Sequence, residues 1–241
     1  MSTTLVVNGG PRSARLTIPS SLHEAVRSAS WVIAADSGCD SAQRLGLRID
    51  TLVGDLDSVS DAGLRYARAS GAVVVEYPPS KDRTDFELAM ALAVSWHRRS
   101  STGPLRIVVL GTSTGRVDHL LAMFGVLAAA VDDAVTVDVV LDSTHLMVLG
   151  PGRCDLPLPV GSTVSLVALT PGVRIQSTSG LRWSLREEAL DPFAGRGIAN
   201  VVEESPVVID VDAGRLLVVM AAEPFDGHRD DEKDDEKKES T

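Results

Sequence analysis

Short apolar runs alternate with stretches of helical period over roughly the first 140 residues. The runs TLVV, WVIAA, TLV, AVVVE, RIVVL and TVDVVL predict strands at Thr4–Val7, Trp31–Ala35, Thr51–Val53, Ala72–Glu76, Arg106–Leu110 and Thr136–Leu141. Between them, helical spacing predicts helices at about Ser21–Ser28, Ser41–Leu45, Ala62–Ser70, Asp85–Arg98 and Asp118–Val131. Thr84-Asp85-Phe86-Glu87 has the form of a capping box, and Ser58 is a candidate cap for the helix that follows it. Alternating apolar strands and helices indicate a parallel sheet covered by helices.

From about His145 the texture changes. HLMVLG, STVSLVAL, GVRIQS, LRWSL, ANVV, PVVIDV and RLLVVMAA are β-rich and broken by Gly and Pro rather than by helices, as in a small sandwich or barrel. The expected architecture is therefore α/β: an N-terminal Rossmann-like, mostly parallel sheet with helices on both faces, followed by a small all-β sandwich. The boundary falls near Gly150–Pro151. That divides the chain into residues 1–150, an α/β nucleotide-binding catalytic domain, residues 151–225, a β-sandwich for substrate binding and dimerisation, and residues 226–241, an acidic tail.

Composition narrows the function classes. Of 241 residues, 44% are hydrophobic and 23% charged, which fits a folded domain and excludes a fully disordered or collagen-like chain. The formal net charge of -10 repels a phosphate backbone, so nucleic acid is not an expected partner. From Asp226 onward, eight acids and four bases contribute about -4 of that charge; with almost no apolar residue, this tail is expected to be disordered. Cys39 and Cys154 are far apart and lack a neighbouring histidine cluster, which argues against a disulfide framework or a zinc site. No secretory pattern opens the chain, and the longest apolar run, Leu120–Val131, is too short to span a bilayer. A cytoplasmic, membrane-free protein is expected.

The candidate chemistry lies in aspartates placed just past strand ends. Asp36 follows the second predicted strand, Asp55 and Asp57 the third, and Asp82 and Asp85 the fourth, while Asp118 opens the helix after the fifth. Residues past the strand ends of a parallel sheet meet at one edge, where open α/β folds bind ligands. If the segment is extended, Asp55 and Asp57, two residues apart, point the same way and can grip one cation. A single aspartate in such a place is ordinarily a turn former or cap. Several at one edge are costly without a cation, and an oxygen-only set suits Mg²⁺ held jointly with substrate phosphates. Lys81, Arg83 and Arg116 lie among the same loops as candidate phosphate partners, with Thr84 beside them. NGGP and GTSTG offer backbone amides, yet neither matches GxxxxGK[ST] or GxGxxG. His119 reads equally as a base or as a histidine bonded to backbone.

In order, AADSGCDSAQRLGL, VGDLDS, SKDRTDFELA, GTSTGRVDHLLAM, GLRW and RGIAN resemble the thiamine pyrophosphokinase (thiamine diphosphokinase) family over nearly the whole chain except the tail. The resemblance implies a homodimer that transfers pyrophosphate from ATP to the hydroxyethyl oxygen of thiamine with Mg²⁺, giving thiamine diphosphate and AMP. It further implies metal ligation by Asp55, Asp57 and Asp85, and an acidic catalytic set of Asp36, Asp57 and Asp118. Lys81, Thr84 and Arg116 would contact ATP; Trp183 and Asn200 would contact thiamine near a subunit interface. A cationic thiazolium over an indole face suits that role.

Three positions depart from the family pattern. Ser37-Gly38 stands where two glycines are usual, Thr112, Ser113 and Thr114 interrupt a glycine-rich loop, and Ala199 replaces the serine before Asn200. Two other readings stay open on the residues: a diphosphokinase for another heterocyclic alcohol such as a hydroxymethylpterin, and a non-catalytic nucleotide- or thiamine-binding dimer.

Overall fold

One hydrogen-bonded sheet runs through both halves of the sequence. The computed structural model describes residues 1–11, 15–100 and 103–224; the acidic tail lies outside the described residues. The strands are β1 (Ser2–Val7), β2 (Trp31–Ala35), β3 (Thr51–Gly54), β4 (Val73–Glu76), β5 (Leu105–Gly111), β6 (Val135–Leu141), β7 (Thr144–Leu149), β8 (Gly152–Leu156), β9 (Ser162–Ala168), β10 (Val173–Ser179), β11 (Arg186–Leu190), β12 (Asn200–Val201), β13 (Val207–Ala213) and β14 (Leu216–Pro224). The helices are α1 (His23–Arg27), α2 (Gly38–Arg44), α3 (Asp61–Ala69), α4 (Asp85–Ser100) and α5 (Val117–Ala130).

Ten strands form the large sheet in the order β12-β9-β14-β7-β6-β5-β1-β2-β3-β4, and four form a second sheet in the order β11-β10-β13-β8. Strands β1 to β6 pair in parallel, in the spatial order 4-3-2-1-5-6; β7 then joins β6 antiparallel, β14 joins β7, and β9 joins β14. The chain reverses direction across the sheet between β1 and β5, so the loops after these strands open a crevice at their C-terminal ends.

Apart from the exposed edge strand β4, the parallel strands are near-continuous apolar runs because both faces are covered. Val6, Ile33, Val53, Val109 and Val139 pack with Phe86, Met90, Met123 and Leu127 of α4 and α5. Their sequence neighbours Leu5, Val7, Val32, Leu52 and Val108 pack on the other face with Ala25, Val26, Ala42 and Ala67 of α1 to α3. The period-2 alternation of strands accounts for this division.

The antiparallel extension uses the same rule to join the two halves. On β14, Leu216, Val218 and Met220 enter the core shared with the four-stranded sheet, whereas Leu217 and Val219 face the core of α4 and α5. Thus the sandwich consists of the second sheet packed on the far end of the first. Two expectations need correction. LRWSL is not a strand: Leu181 makes a single bridge to Val202, and β11 begins only at Arg186. GRCDL, passed over in the sequence, is β8. Among the described residues no helix is long and apolar enough to cross a membrane.

Candidate active site

The loops after five consecutive parallel-sheet positions line one cavity of about 800 Å³. Asn8, Gly9 and Gly10 enter it from the end of β1, Asp36 and Ser37 from β2, and Asp55, Asp57 and Ser58 from β3. Lys81 to Phe86 come from the β4–α4 connection, and Thr112 with Gly115, Arg116 and His119 from the β5–α5 connection. Asp36, Asp55, Asp57, Lys81, Thr84, Asp85 and Arg116 are therefore brought together, as sequence order proposed.

Three of the carboxylates converge most closely. Asp36, Asp55 and Asp57 each present an oxygen such that all three lie within 4.8 Å of one another. Asp36 reaches this point from a left-handed backbone, φ 45°, immediately after β2, and Leu56 between the other two is also left-handed, φ 63°. The Asp55–Asp57 segment is thus turned rather than extended, and the turn still directs both carboxylates to one place. Gly54 sits in the gap: a Cβ there would lie 3.1 Å from both Asp36 Cβ and Asp85 Oδ1.

The electrostatics follow from crowding. Burial pushes the Asp36 carboxyl above the ordinary aspartate range even though Ser58 Oγ donates to its Oδ2. Its Oδ1 is buried with no hydrogen-bond partner among the described residues. The neighbouring charge of Asp55, then burial, raises Asp57, whereas a hydrogen bond from Lys81 holds Asp55 low. Lys81 Nζ donates to Asp55 Oδ2 at 2.6 Å and lies 3.1 Å from Asp85 Oδ1, the latter an ion pair rather than an aligned hydrogen bond. Asp85 therefore neighbours the three-carboxylate group through Lys81 and is not part of it.

Asp118 is placed differently from its expected role. It opens α5 but is not among the residues lining the cavity; Arg116 holds its carboxylate through both Nε and Nη2. Arg116 is also the main reason that Asp118 drops to about 2. A carboxylate so weakly basic, on a side chain 62% exposed, is a poor proton acceptor.

Thr84 caps α4, accepting from Glu87 N at 3.1 Å, while Glu87 itself pairs with Arg83, so only half of the capping box forms. Ser60, not Ser58, caps α3 by accepting from Gly63 N at 2.9 Å. Sequence reasoning missed one structural pair beside the site: Asp142, after β6, accepts from both the amide and the hydroxyl of Ser113 and ties down the loop carrying Arg116. Nothing local in the sequence linked those two residues.

Trp183 and Asn200 line a second cavity of about 480 Å³ with Arg182, Arg196 and Ile198. It shares no lining residue with the first. Trp183 is 57% exposed, and the Arg182 guanidinium lies 5.7 Å from its ring centre. Asn200 is buried and spends its amide on backbone: Oδ1 accepts from the amides of Trp183 and Val201, and Nδ2 donates to Trp183 O.

Two family descriptions match the chain: "Thiamin pyrophosphokinase, catalytic domain" over residues 22–139 and "Thiamin pyrophosphokinase, vitamin B1 binding domain" over residues 153–216. The Thiamine pyrophosphokinase of Bacillus subtilis (strain 168) is 23% identical over 224 residues, covering 92% of this chain and 100% of that protein. In three dimensions, a crystal structure of Thiamine pyrophosphokinase from Bacillus subtilis superposes with a TM-score of 0.76 at 22% identity, covering 92% of this chain and 100% of that one. The Candida albicans Thiamin pyrophosphokinase gives 0.74 at 16% identity, with 90% and 89% covered. At such identities the superpositions establish the shared fold.

Proposed function

The chain belongs to the thiamine pyrophosphokinase family, and from that premise we propose that the sheet-edge cavity is where pyrophosphate passes from ATP to the hydroxyl of thiamine, yielding thiamine diphosphate and AMP. The observation that carries this reading is the gathering of Asp36, Asp55 and Asp57 within 4.8 Å, with the buried Oδ1 of Asp36 left without a partner. Such an oxygen-only set fits a hard divalent cation such as Mg²⁺. Asp36, Asp55 and Asp57 would hold it, and Asp85 would stand behind them. When bound, the cation supplies charge neutralisation for the triphosphate and the departing AMP.

The remaining roles follow from the chain's own groups. Residues 1–150, the Rossmann-like half, hold the nucleotide, and the sandwich of residues 151–225 supplies the thiamine surface. Arg116 leaves its exposed pairing with Asp118 to grip phosphate in a fork, assisted by Lys81. Thr84 uses a lone pair for its cap, so its O–H remains able to donate into the cavity. The connections that open α4 and α5 also line the cavity, and the free amides of a helix start favour an anion. The attacking hydroxyl oxygen bonds to the β-phosphorus, the bond from that phosphorus to the AMP oxygen breaks, and the hydroxyl proton leaves to a base. Asp118, which does not line the cavity and holds Arg116 only until the nucleotide arrives, is not assigned as that base. Positioning and charge neutralisation then carry most of the rate.

Because the Trp183 cavity is separate from the first, a homodimer that sets the Trp183 face of one copy against the cavity of the other would complete the site. There the indole would stack on the thiazolium, and Asn200 would hold the indole's backbone in place. The deciding experiment incubates the full chain with ATP, Mg²⁺ and a panel of thiamine and pterin alcohols, reading AMP and product mass. Thiamine diphosphate with stoichiometric AMP is expected. A diphosphorylated pterin alone would reassign the acceptor, and absence of AMP with every alcohol would make the protein a binder.

A further inference from the structure

Resting on the cation-and-triphosphate reading above, we propose that Lys81 is a built-in counter-ion that competes with the divalent cation for the acidic site and moves onto phosphate when the nucleotide arrives. Asp55 belongs to the three-carboxylate group, and the same residue accepts from Lys81 Nζ at 2.6 Å. Lys81 also lies 3.1 Å from Asp85, and its side chain is only 11% exposed, so its ammonium is committed to this cluster rather than to water.

A dication bound through Asp55 would meet the ammonium at short range, and like charges at that distance repel strongly where water is largely excluded. One of them must move. The lysine is the mobile partner, since four rotatable carbons carry its charge, and it lines the cavity that would hold the triphosphate. Arg83 and Arg116 line the same cavity and are likewise held by carboxylates, Glu87 and Asp118, but their side chains are 58% and 70% exposed and their release costs little. Lys81 is the buried member of the three, so its displacement sets the threshold for loading the site.

Two consequences follow. In the empty site Lys81 offsets carboxylate repulsion, and a free cation binds weakly until phosphate offers the ammonium another partner. Cation and nucleotide then bind cooperatively through one side chain.

The test is calorimetric titration of Mg²⁺ alone, without nucleotide, into the wild-type full chain, Lys81→Met and Lys81→Gln, with thermal melting of each protein over a Mg²⁺ series. The variants are expected to bind Mg²⁺ about tenfold more tightly than wild type, equivalent to about 1.4 kcal/mol. They should also melt below wild type without Mg²⁺ and recover as it is added. Binding by both variants no tighter than wild type would overturn the exchange while leaving the cation site intact. Absence of Mg²⁺ binding in all three proteins would overturn the cation site and the exchange together.

Discussion

Asn200 grips the main chain of Trp183 from both sides, its Oδ1 accepting from Trp183 N at 3.1 Å and its Nδ2 donating to Trp183 O at 2.8 Å. The exposed indole is therefore held by a buried amide, and the two residues should respond differently to truncation. Asn200→Ala leaves backbone groups unpaired and should cost about 1–3 kcal/mol of stability while raising the KM for thiamine. Trp183→Ala removes a side chain that is mostly in solvent, so stability should stay within about 0.5 kcal/mol. Its KM for thiamine should rise more than its KM for ATP. Denaturant melts and a two-substrate kinetic comparison check this, and equal KM changes would remove Trp183 from thiamine binding.

Gly38 is held to glycine by the strand in front of it. A Cβ at that position would lie 2.0 Å from Val7 O, a backbone atom that cannot move aside. Gly38→Ala should therefore destabilise the protein by about 3 kcal/mol or more. At the preceding position Ser37 has an ordinary backbone, φ -61°, so the departure from two glycines costs nothing in conformation. Ser37→Gly is expected to melt within about 1 kcal/mol of wild type. Comparable losses in the two variants would show that the constraint lies elsewhere.

The sequence made the parallel half legible because strands buried on both faces are apolar at nearly every position, as in WVIAA and in the IVVL that follows Arg106. It was poorer where one face meets water. Strands β8 and β11, with the sequences GRCDL and REEAL, edge the second sheet and are mostly exposed, so their pattern is polar. LRWSL misled because Leu181 and Leu185 are buried in the sandwich core with no pairing beyond the single bridge of Leu181 to Val202, while Trp183 between them is exposed. Continuity of the large sheet across Gly150 was invisible, since pairing of β7 with β14 joins residues some 70 positions apart. In the site, strand-end placement pointed to one edge of the sheet, and Asp36, Asp55, Asp57, Asp82 and Asp85 do line one cavity there while Asp118 does not. Which carboxylates converge depended on the left-handed turns at Asp36 and Leu56, and spacing alone carried no signal for these.

Asp57 tests the cation reading most directly. Its carboxylate is raised by the charge of Asp55 beside it, a repulsion that a bound cation would relieve. Asp57→Asn removes one ligand charge and should lower the rate of AMP formation by orders of magnitude. The variant should fold and melt at least as well as wild type without Mg²⁺, because the repulsion disappears with the charge. Unchanged turnover would take Asp57 out of the mechanism.

The loop that presents Arg116 depends on Asp142, which accepts from the amide and the hydroxyl of Ser113. Thr112 and Ser113 stand where glycines were expected, and this clamp provides the order that a flexible glycine loop would lack. Ser113→Ala should raise the KM for ATP several-fold, on the order of 1 kcal/mol for one lost hydrogen bond to a charged group. The KM for thiamine should hold. Parallel changes in both constants would indicate general disruption instead.

Asp138 makes the junction between the parallel and antiparallel parts of the sheet dependent on pH. It sits on β6, buried, accepting from Arg106 Nε on β5 at 2.7 Å and hydrogen-bonded to His145 Nε2 on β7 at 2.9 Å. Burial alone would raise its pKa, but the hydrogen bonds from His145 and Arg106 prevail and lower it. A depressed carboxylate contributes stability that is present above the unfolded value, about 3.9, and is lost as pH falls through the folded one. Asp138→Asn should therefore cost about 1.5–3 kcal/mol at pH 7, because it leaves the half-buried Arg106 without its counter-charge. The gap between wild type and variant should narrow as the pH drops below about 4, since Asp138 of the unfolded chain then takes up a proton that the folded carboxylate resists until a lower pH. Urea melts of both proteins from pH 7 down to pH 3 measure that gap. A difference that stays constant across the range would mean that the contribution of Asp138 lies in its shape and hydrogen bonds rather than in its charge.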